Sequence, residues 1–238
     1  MDIKNKVAVI TGASKGIGKA TALRLAQEGT HLALSARSGD LLAQLSQDIR
    51  AMGLKAYSYV GDMSKEDSIK MLIQGTVKEY GKIDILINNA GFGFFNPIID
   101  FPTKNWDEMF NLNVRGLFIA TRESLPYLRK ANESVIVNVV SLAGKNAFVG
   151  GGGYAATKHA VLGFSRCLML EERKNGVRVL AICPGSVATS FFDAHHDASD
   201  PKREKILAAE DVAESIIHMI KLPQCAMVSE IDIRPTNP

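Results

Sequence analysis

Cysteine is scarce in this chain: 3 in 238 residues, Cys167, Cys183 and Cys225, with no C-x-x-C spacing. That argues against a zinc site or a disulfide framework and for reduced thiols in a cytoplasmic setting. No run approaches 18 consecutive apolar residues, so no membrane span is expected. The stretch Met1–Thr11 carries too short an apolar run for a secretion signal. Charge of one sign is also lacking: 28 basic and 25 acidic residues leave a formal +3. Such an excess, spread along the chain, does not fit a nucleic-acid partner. His195 and His196 are adjacent, so they point apart in any regular structure, and no H-E-x-x-H pattern surrounds them; no metal site is expected. Linkers, internal repeats and low-complexity tracts are absent as well.

What is present is 46% hydrophobic and 22% charged, an ordinary composition for a globular protein able to bury one large core. Residues 1–238 are therefore expected to form a single domain. Short apolar runs alternate with helical patterns along its whole length. Runs at Val7–Ile10, His31–Ala36, Lys55–Val60, Ile83–Ile87, Ser134–Val140, Val177–Ile182 and Met227–Ile233 read as strands buried on both faces of a sheet. Helical patterns fill Gly39–Met52, Lys65–Tyr80, Trp106–Arg129 and Glu210–Lys221. The alternation predicts an α/β fold: a Rossmann-type doubly wound sheet of seven mostly parallel strands with helices on both faces. Residues 191–209 lack clear periodicity and are expected to act as a substrate lid.

Chemistry collects at the carboxyl ends of these strands. The first runs into T-G-A-S-K-G-I-G (Thr11–Gly18) and then a helix, a turn whose N–H groups and helix dipole suit an anion. Its glycine spacing, G-x-x-x-G-x-G, differs from the G-x-G-x-x-G fingerprint. The second strand ends in Ala36-Arg37-Ser38, with no acid at its tip to hold a ribose 2′-hydroxyl. Arg37 there, with Lys15 in the glycine turn, favours a 2′-phosphate and hence NADP(H). Asp62, after the third strand, reads as a cap for the following helix. Asn88–Gly91 (N-N-A-G) ends the fourth strand, and Phe92, Phe94 and Phe95 follow as buried anchors or as lining of an apolar pocket. Asn and Gly inside N-L-N-V-R-G-L-F (Asn111–Phe118) are costly in a helix and predict a bend or a local polar contact.

The fifth strand delivers Ser141, and four glycines later Tyr154 and Lys158 stand at i and i+4 of a helix, on one face. A phenol titrates near about 10 and is a poor acid or base at neutral pH. An ammonium close by favours phenolate, at about 1.4 kcal/mol per pKa unit, and moves it toward a working acid/base.

Taken together these motifs resemble the short-chain dehydrogenase/reductase family. T-G-A-S-K-G-I-G, N-N-A-G, the asparagine of N-V-R-G, a serine thirteen positions before tyrosine, Y-x-x-x-K and P-G-x-V-x-T occur in the family's order across nearly the whole chain. The resemblance implies a nicotinamide cofactor, a small-molecule carbonyl or alcohol substrate, and a homodimer or homotetramer. It also implies roles. Tyr154 would be the general acid/base, Ser141 would hold the substrate oxygen, and Asn113 would support a proton relay through water. Lys158 would bind the nicotinamide ribose and lower the Tyr154 pKa. Gly12, Ser14, Ile17 and Gly18 would line the pyrophosphate, and Asp62 and Met63 would sit at adenine, in place of the capping role. Asn89 and Gly91 would lie by the ribose, Val187 and Thr189 by the carboxamide, and Arg37 at the 2′-phosphate. The ending E-I-D-I-R-P-T-N-P lacks the V-D-G-G type frequent in acyl-carrier-protein reductases and is similar to the R-P-T ending of some sepiapterin-reductase-like members. The expected activity is NADPH-dependent reduction of a carbonyl to an alcohol, on a 3-oxoacyl thioester, a pterin or another ketone. The alternative is an NADP(H)-binding redox sensor without turnover.

Overall fold

The computed structural model describes residues 1–194 and 205–236. Its centre is one sheet of seven strands: β1 (Val7–Thr11), β2 (His31–Ala36), β3 (Ala56–Val60), β4 (Ile85–Asn88), β5 (Ser134–Val139), β6 (Val177–Pro184) and β7 (Glu230–Ile233). Their order is β3-β2-β1-β4-β5-β6-β7, and every pairing is parallel. Parallel strands need crossovers, which the helices supply: α1 (Gly16–Gln27), α2 (Gly39–Ala51), α3 (Glu66–Tyr80), α4 (Thr103–Met109), α5 (Leu117–Leu128), α6 (Gly152–Glu172), α7 (Ser190–Asp193) and α8 (Ala209–Lys221). Among the described residues no helix is long and apolar enough to cross a membrane.

Alternation of side chains along each strand sorts the core into two layers. Ala8 and Ile10 of β1, Leu32 and Leu34 of β2, and Ile85 and Ile87 of β4 pack with Leu25 of α1, Leu45 of α2 and Ile216 of α8. The residues between them, Val9, Ala33 and Leu86, face the other way, onto Ile69 and Leu72 of α3, Ile119 of α5 and Leu168 of α6. Burial on both faces is why these strands read as unbroken apolar runs. Strand order reverses between β1 and β4, and that switch point opens a crevice at the carboxyl edge of the sheet.

The helix expected over Trp106–Arg129 is broken. Between α4 and α5 the chain makes a π-helical turn over Phe110–Gly116. Two contacts impose it. The Asn113 side chain is bonded to the Phe92 backbone. Gly116 lies so close to the β3–α3 connection that an added Cβ would stand 2.3 Å from the Met63 carbonyl oxygen. Inserted turns of this kind recur at functional sites. The last strand is shorter than Met227–Ile233, because Met227 and Val228 pack on the core without pairing to β6. The segment after β6 is fastened by a bridge from Val187 to Leu207. Most of the expected 191–209 lid, with His195 and His196, lies outside the described residues.

Candidate active site

The glycine turn after β1 is built as an anion cradle. Gly12 and Gly16 adopt φ of 68° and 51°, in the left-handed region that favours glycine. The N-cap of α1 is Lys15, which makes no side-chain cap bond, and the first turn of α1 holds no acid. Its leading N–H groups and the positive end of its dipole are therefore available to an anion. Asn89 holds the turn from behind: its Nδ2 donates to the carbonyl oxygens of Thr11 (3.0 Å) and Gly12 (2.9 Å). The N–H groups of Asn89 and Ala90 both donate to Thr11 Oγ1, each at 3.1 Å. Gly18 closes the arrangement, since an added Cβ would lie 2.4 Å from the Gly12 oxygen and 2.5 Å from Asn89 Nδ2. Asn89, expected beside a ribose, thus spends its amide nitrogen on shaping the turn. Ser14 and Ile17 sit half-buried on the turn and the first helical residues.

Arg37 stands at the same edge. Ser35 of β2 is registered against Thr11, and its carbonyl accepts from Ala13 N at 2.9 Å, so the β2 tip lies beside the turn. Arg37 and Lys15 are both exposed, and among the described residues neither is ion-paired with an acid. Asp62 follows β3, and its carboxylate accepts from Ser64 N at 2.9 Å, closing a turn ahead of α3. The N-cap of α3 itself is Lys65, so Asp62 does not cap that helix. Met63 is buried. Thr189 reaches the cradle from the far side: its Cγ2 is 3.0 Å from where a Gly16 Cβ would be. Val187 is buried beneath it, paired to Leu207.

Ser141 emerges from the end of β5 in extended backbone, its Oγ accepting from Ala143 N at 3.1 Å. Its hydroxyl stands beside the Tyr154 phenol, near enough to favour the phenolate. One helical turn along α6, Lys158 Nζ lies 5.7 Å from the centre of the Tyr154 ring and donates to the Val139 carbonyl at 3.0 Å. Both side chains are buried, Tyr154 9% and Lys158 7% exposed. Gly91 admits the β4 loop to this spot; an added Cβ there would be 3.2 Å from Asn113 Oδ1 and 3.7 Å from Lys158 Nζ.

Burial dominates the electrostatics, because it disfavours whichever form is charged. It pushes the Tyr154 phenol up to about 12, with the neighbouring Ser141 hydroxyl working against it. It pulls the Lys158 ammonium down to about 8. The spacing of Tyr154 and Lys158 predicts a phenol lowered by its neighbour; in the protein as it stands, dehydration raises it instead.

Asn113 is buried with its side chain fully engaged. Its Oδ1 accepts from Phe92 N (3.0 Å), and its Nδ2 donates to the Phe92 oxygen (2.8 Å) and to Thr157 Oγ1 (3.1 Å). Thr157 in turn donates to the Tyr154 carbonyl at 2.8 Å. Thr157 went unremarked in the sequence, although a hydroxyl between Tyr154 and Lys158 on a helix is its signal. A second polar chain lies behind. Asn88 Nδ2 donates to Asn138 Oδ1 (2.9 Å), and Asn138 Nδ2 donates to Ser165 Oγ (2.8 Å), linking β4, β5 and α6. An asparagine inside the apolar run S-V-I-V-N-V-V was its only trace.

A glycine cradle and a serine–tyrosine–lysine group on one edge of a doubly wound sheet define a dinucleotide-linked oxidoreductase. Residues 6–200 match the model of the short chain dehydrogenase family, and the chain belongs to that family. It is 34% identical over 241 residues to a glycine betaine reductase of Emericella nidulans, a match covering 99% of this chain and 19% of that protein's length. Among solved structures it is similar to an alcohol dehydrogenase from the archaeon Thermococcus sibiricus complexed with 5-hydroxy-NADP. The TM-score is 0.90 at 31% identity, covering 98% of this chain and 97% of the other. It is also similar to a 3-ketoacyl-(acyl-carrier-protein) reductase from Brucella melitensis complexed with NADH, with a TM-score of 0.89 at 27% identity and 98% of each chain covered. The cradle fits such a cofactor on its own terms: an uncapped helix N-terminus, a left-handed glycine turn and two exposed cations suit a phosphate-bearing dinucleotide.

Proposed function

We propose that the protein is an NADPH-dependent reductase of carbonyl compounds, with Ser141, Tyr154 and Lys158 as its reacting group. The observation that carries this reading is the buried Tyr154 with Lys158 one helical turn away, beside Ser141 and on the same sheet edge as the glycine turn. The cofactor, when bound, supplies the hydride. Gly12, Ser14, Ile17 and Gly18 hold its pyrophosphate on the turn and the N-terminus of α1. Asp62 and Met63 bound its adenine, Asn89 and Gly91 the ribose side, and Val187 and Thr189 its carboxamide. Lys158 binds the nicotinamide ribose.

At the substrate, Tyr154 gives its proton to the carbonyl oxygen as that oxygen gains charge, and Ser141 donates a hydrogen bond to the same atom. Thr157 fixes the Asn113 amide, so Asn113 pins the π-helical turn and the Phe92 backbone beside Lys158. The burial that keeps Tyr154 protonated suits the reductive direction, in which the phenol begins as an acid.

The test is steady-state NADPH oxidation against a panel of ketones, aldehydes and 3-oxoacyl thioesters, with turnover expected. Tight NADPH binding without turnover across the panel would favour a redox sensor. Arg37 and Lys15 are assigned to the 2′-phosphate. Arg37→Asp is accordingly expected to weaken NADPH binding by about 30-fold or more, through a lost charge-assisted contact and an added repulsion, and to change NADH binding by less than about threefold. Equal losses for the two cofactors in fluorescence titrations would remove Arg37 from that role.

A further inference from the structure

The walls around Tyr154 say what the substrate should be, granted the reductase reading above. Two loops frame the phenol: residues 92–101, after β4, and residues 145–151, between the Ser141 turn and α6. A hydrogen bond from Asn96 N to the Gly150 oxygen, 2.9 Å long, ties them together. Phe95 stands edge-on to the Tyr154 ring at 5.6 Å between centroids, to Phe148 at 5.4 Å and to Phe191 of α7 at 6.1 Å. Phe191 packs on Tyr154 as well, at 5.5 Å, so the three rings form one cluster. Further out the surface stays apolar. Phe148 and Val149 are 45% and 99% exposed, and Ile98 and Ile99 are 68% and 93% exposed. Ile98 lies against the first turn of α6, where a Cβ on Gly152 would meet its Cδ1 at 2.7 Å. An apolar path therefore runs from the phenol to solvent.

Among the described residues, charge along this path is all but missing. Loop residues 92–101 and 146–151 contain one ionisable side chain, the exposed Asp100, and no cation. Lys145, the next cation along the chain, is bound to Asp232 at 2.7 Å and Glu230 at 3.2 Å. A carboxylate or phosphate carried by a substrate would lose its water to these phenylalanines, and no described cation beside them is free to receive it. A neutral ring meets aromatic edges and loses nothing.

From this we infer that the substrate is an uncharged carbonyl compound whose carbonyl is borne on an aromatic or alicyclic ring, the ring lying along Phe95 and Phe148. A charged metabolite, or a small aliphatic carbonyl, fits this path less well.

The experiment compares three carbonyl compounds with the wild-type protein and NADPH: methyl 4-acetylbenzoate, 4-acetylbenzoate and 2,3-butanedione. The first two share one aryl ketone and differ only at the para position, a neutral methyl ester against a carboxylate. We expect kcat/KM for the neutral ester to exceed that for the carboxylate by roughly 100-fold, from unpaired-charge burial, and that for butanedione by roughly 30-fold, from lost ring burial. Phe95→Ala should raise the ratio of the ester KM to the butanedione KM about tenfold. Phe148→Ala, on the half-exposed outer side, gives the same readout should Phe95→Ala misfold. A carboxylate used as well as the ester overturns the inference. So does butanedione being preferred, or a KM ratio untouched by both variants; in each of these cases the reductase reading still stands. Failure to reduce any of the three, with NADPH tightly bound, sinks the inference and the reductase reading together.

Discussion

Tyr154→Phe is expected to lower kcat/KM for NADPH-linked ketone reduction by about a thousandfold, the usual range for loss of a general acid. The substitution is a narrow one. It removes a single hydroxyl and keeps the ring that packs against Phe95 and Phe191. Removing a buried phenolic oxygen among apolar neighbours costs little. Stability should therefore shift little, and the affinity for NADPH should stay within about threefold, because the cradle is a separate structure. Steady-state kinetics with a fluorescence titration of NADPH on the same preparation separates these effects. Turnover unchanged from wild type would remove Tyr154 from the chemistry.

Lys158→Met should have two large effects of opposite kind. Activity should fall by about a hundredfold or more, since Lys158 is the cation beside the phenol that favours its phenolate. Stability at pH 7 should rise. Lys158 is buried with a backbone carbonyl as its hydrogen-bond partner, and its pKa is pulled from 10.5 to about 8. Below about pH 8 the native and unfolded chains both carry the proton, and the native one bears the whole dehydration penalty. Between about 8 and 10.5 the unfolded chain still holds a proton that the native chain has released, so wild-type stability climbs with pH across that window. The penalty at neutral pH is about 3 kcal/mol, less about 1 kcal/mol for the bond to Val139 that methionine forgoes. Methionine is of similar length and fits the same slot. Urea denaturation at pH 7 and pH 10 should thus find the variant more stable by about 2 kcal/mol at the lower pH, with the advantage shrinking at the higher. A variant less stable than wild type at pH 7 would mean that the ammonium is paired in a way the structure does not contain. Proteins commonly give up stability at the groups they use for chemistry.

Much of the fold was legible because two-sided burial leaves an obvious mark. His31–Ala36 is apolar over the same residues that pair in the sheet. The carboxyl-edge placement of the glycine turn, N-N-A-G and Ser141 followed from strand order alone. What the residues could not say depends on partners distant in sequence. Asn113 and Gly116 marked trouble in a helix, but the form it took, a π-helical turn, was set by the Phe92 backbone and the Met63 carbonyl. The i, i+4 spacing of Tyr154 and Lys158 is a local fact and suggested a lowered phenol. Phe95, Phe191 and the surrounding core decide how dry that pair is, and dryness moved the phenol the other way. Asn89, just past the end of a strand, reads as an amide on the ribose side, and the residues gave no sign that it also shapes the glycine turn. Its partners are the carbonyls of a turn some 77 residues earlier.

The central claim is that a dehydrated phenol, a poor acid/base by itself, becomes usable through the Lys158 ammonium once a cofactor is bound beside it. In a dry site an ammonium a few ångströms away is worth several kcal/mol. The direct measurement is a spectrophotometric titration of Tyr154, taken as the difference between wild type and Tyr154→Phe, with and without saturating NADP+. The account predicts a phenol near 12 in the free protein. It predicts a value lower by at least about two units with NADP+ bound, and no such fall in Lys158→Met. A phenol that stays near 12 with the cofactor in place would contradict it.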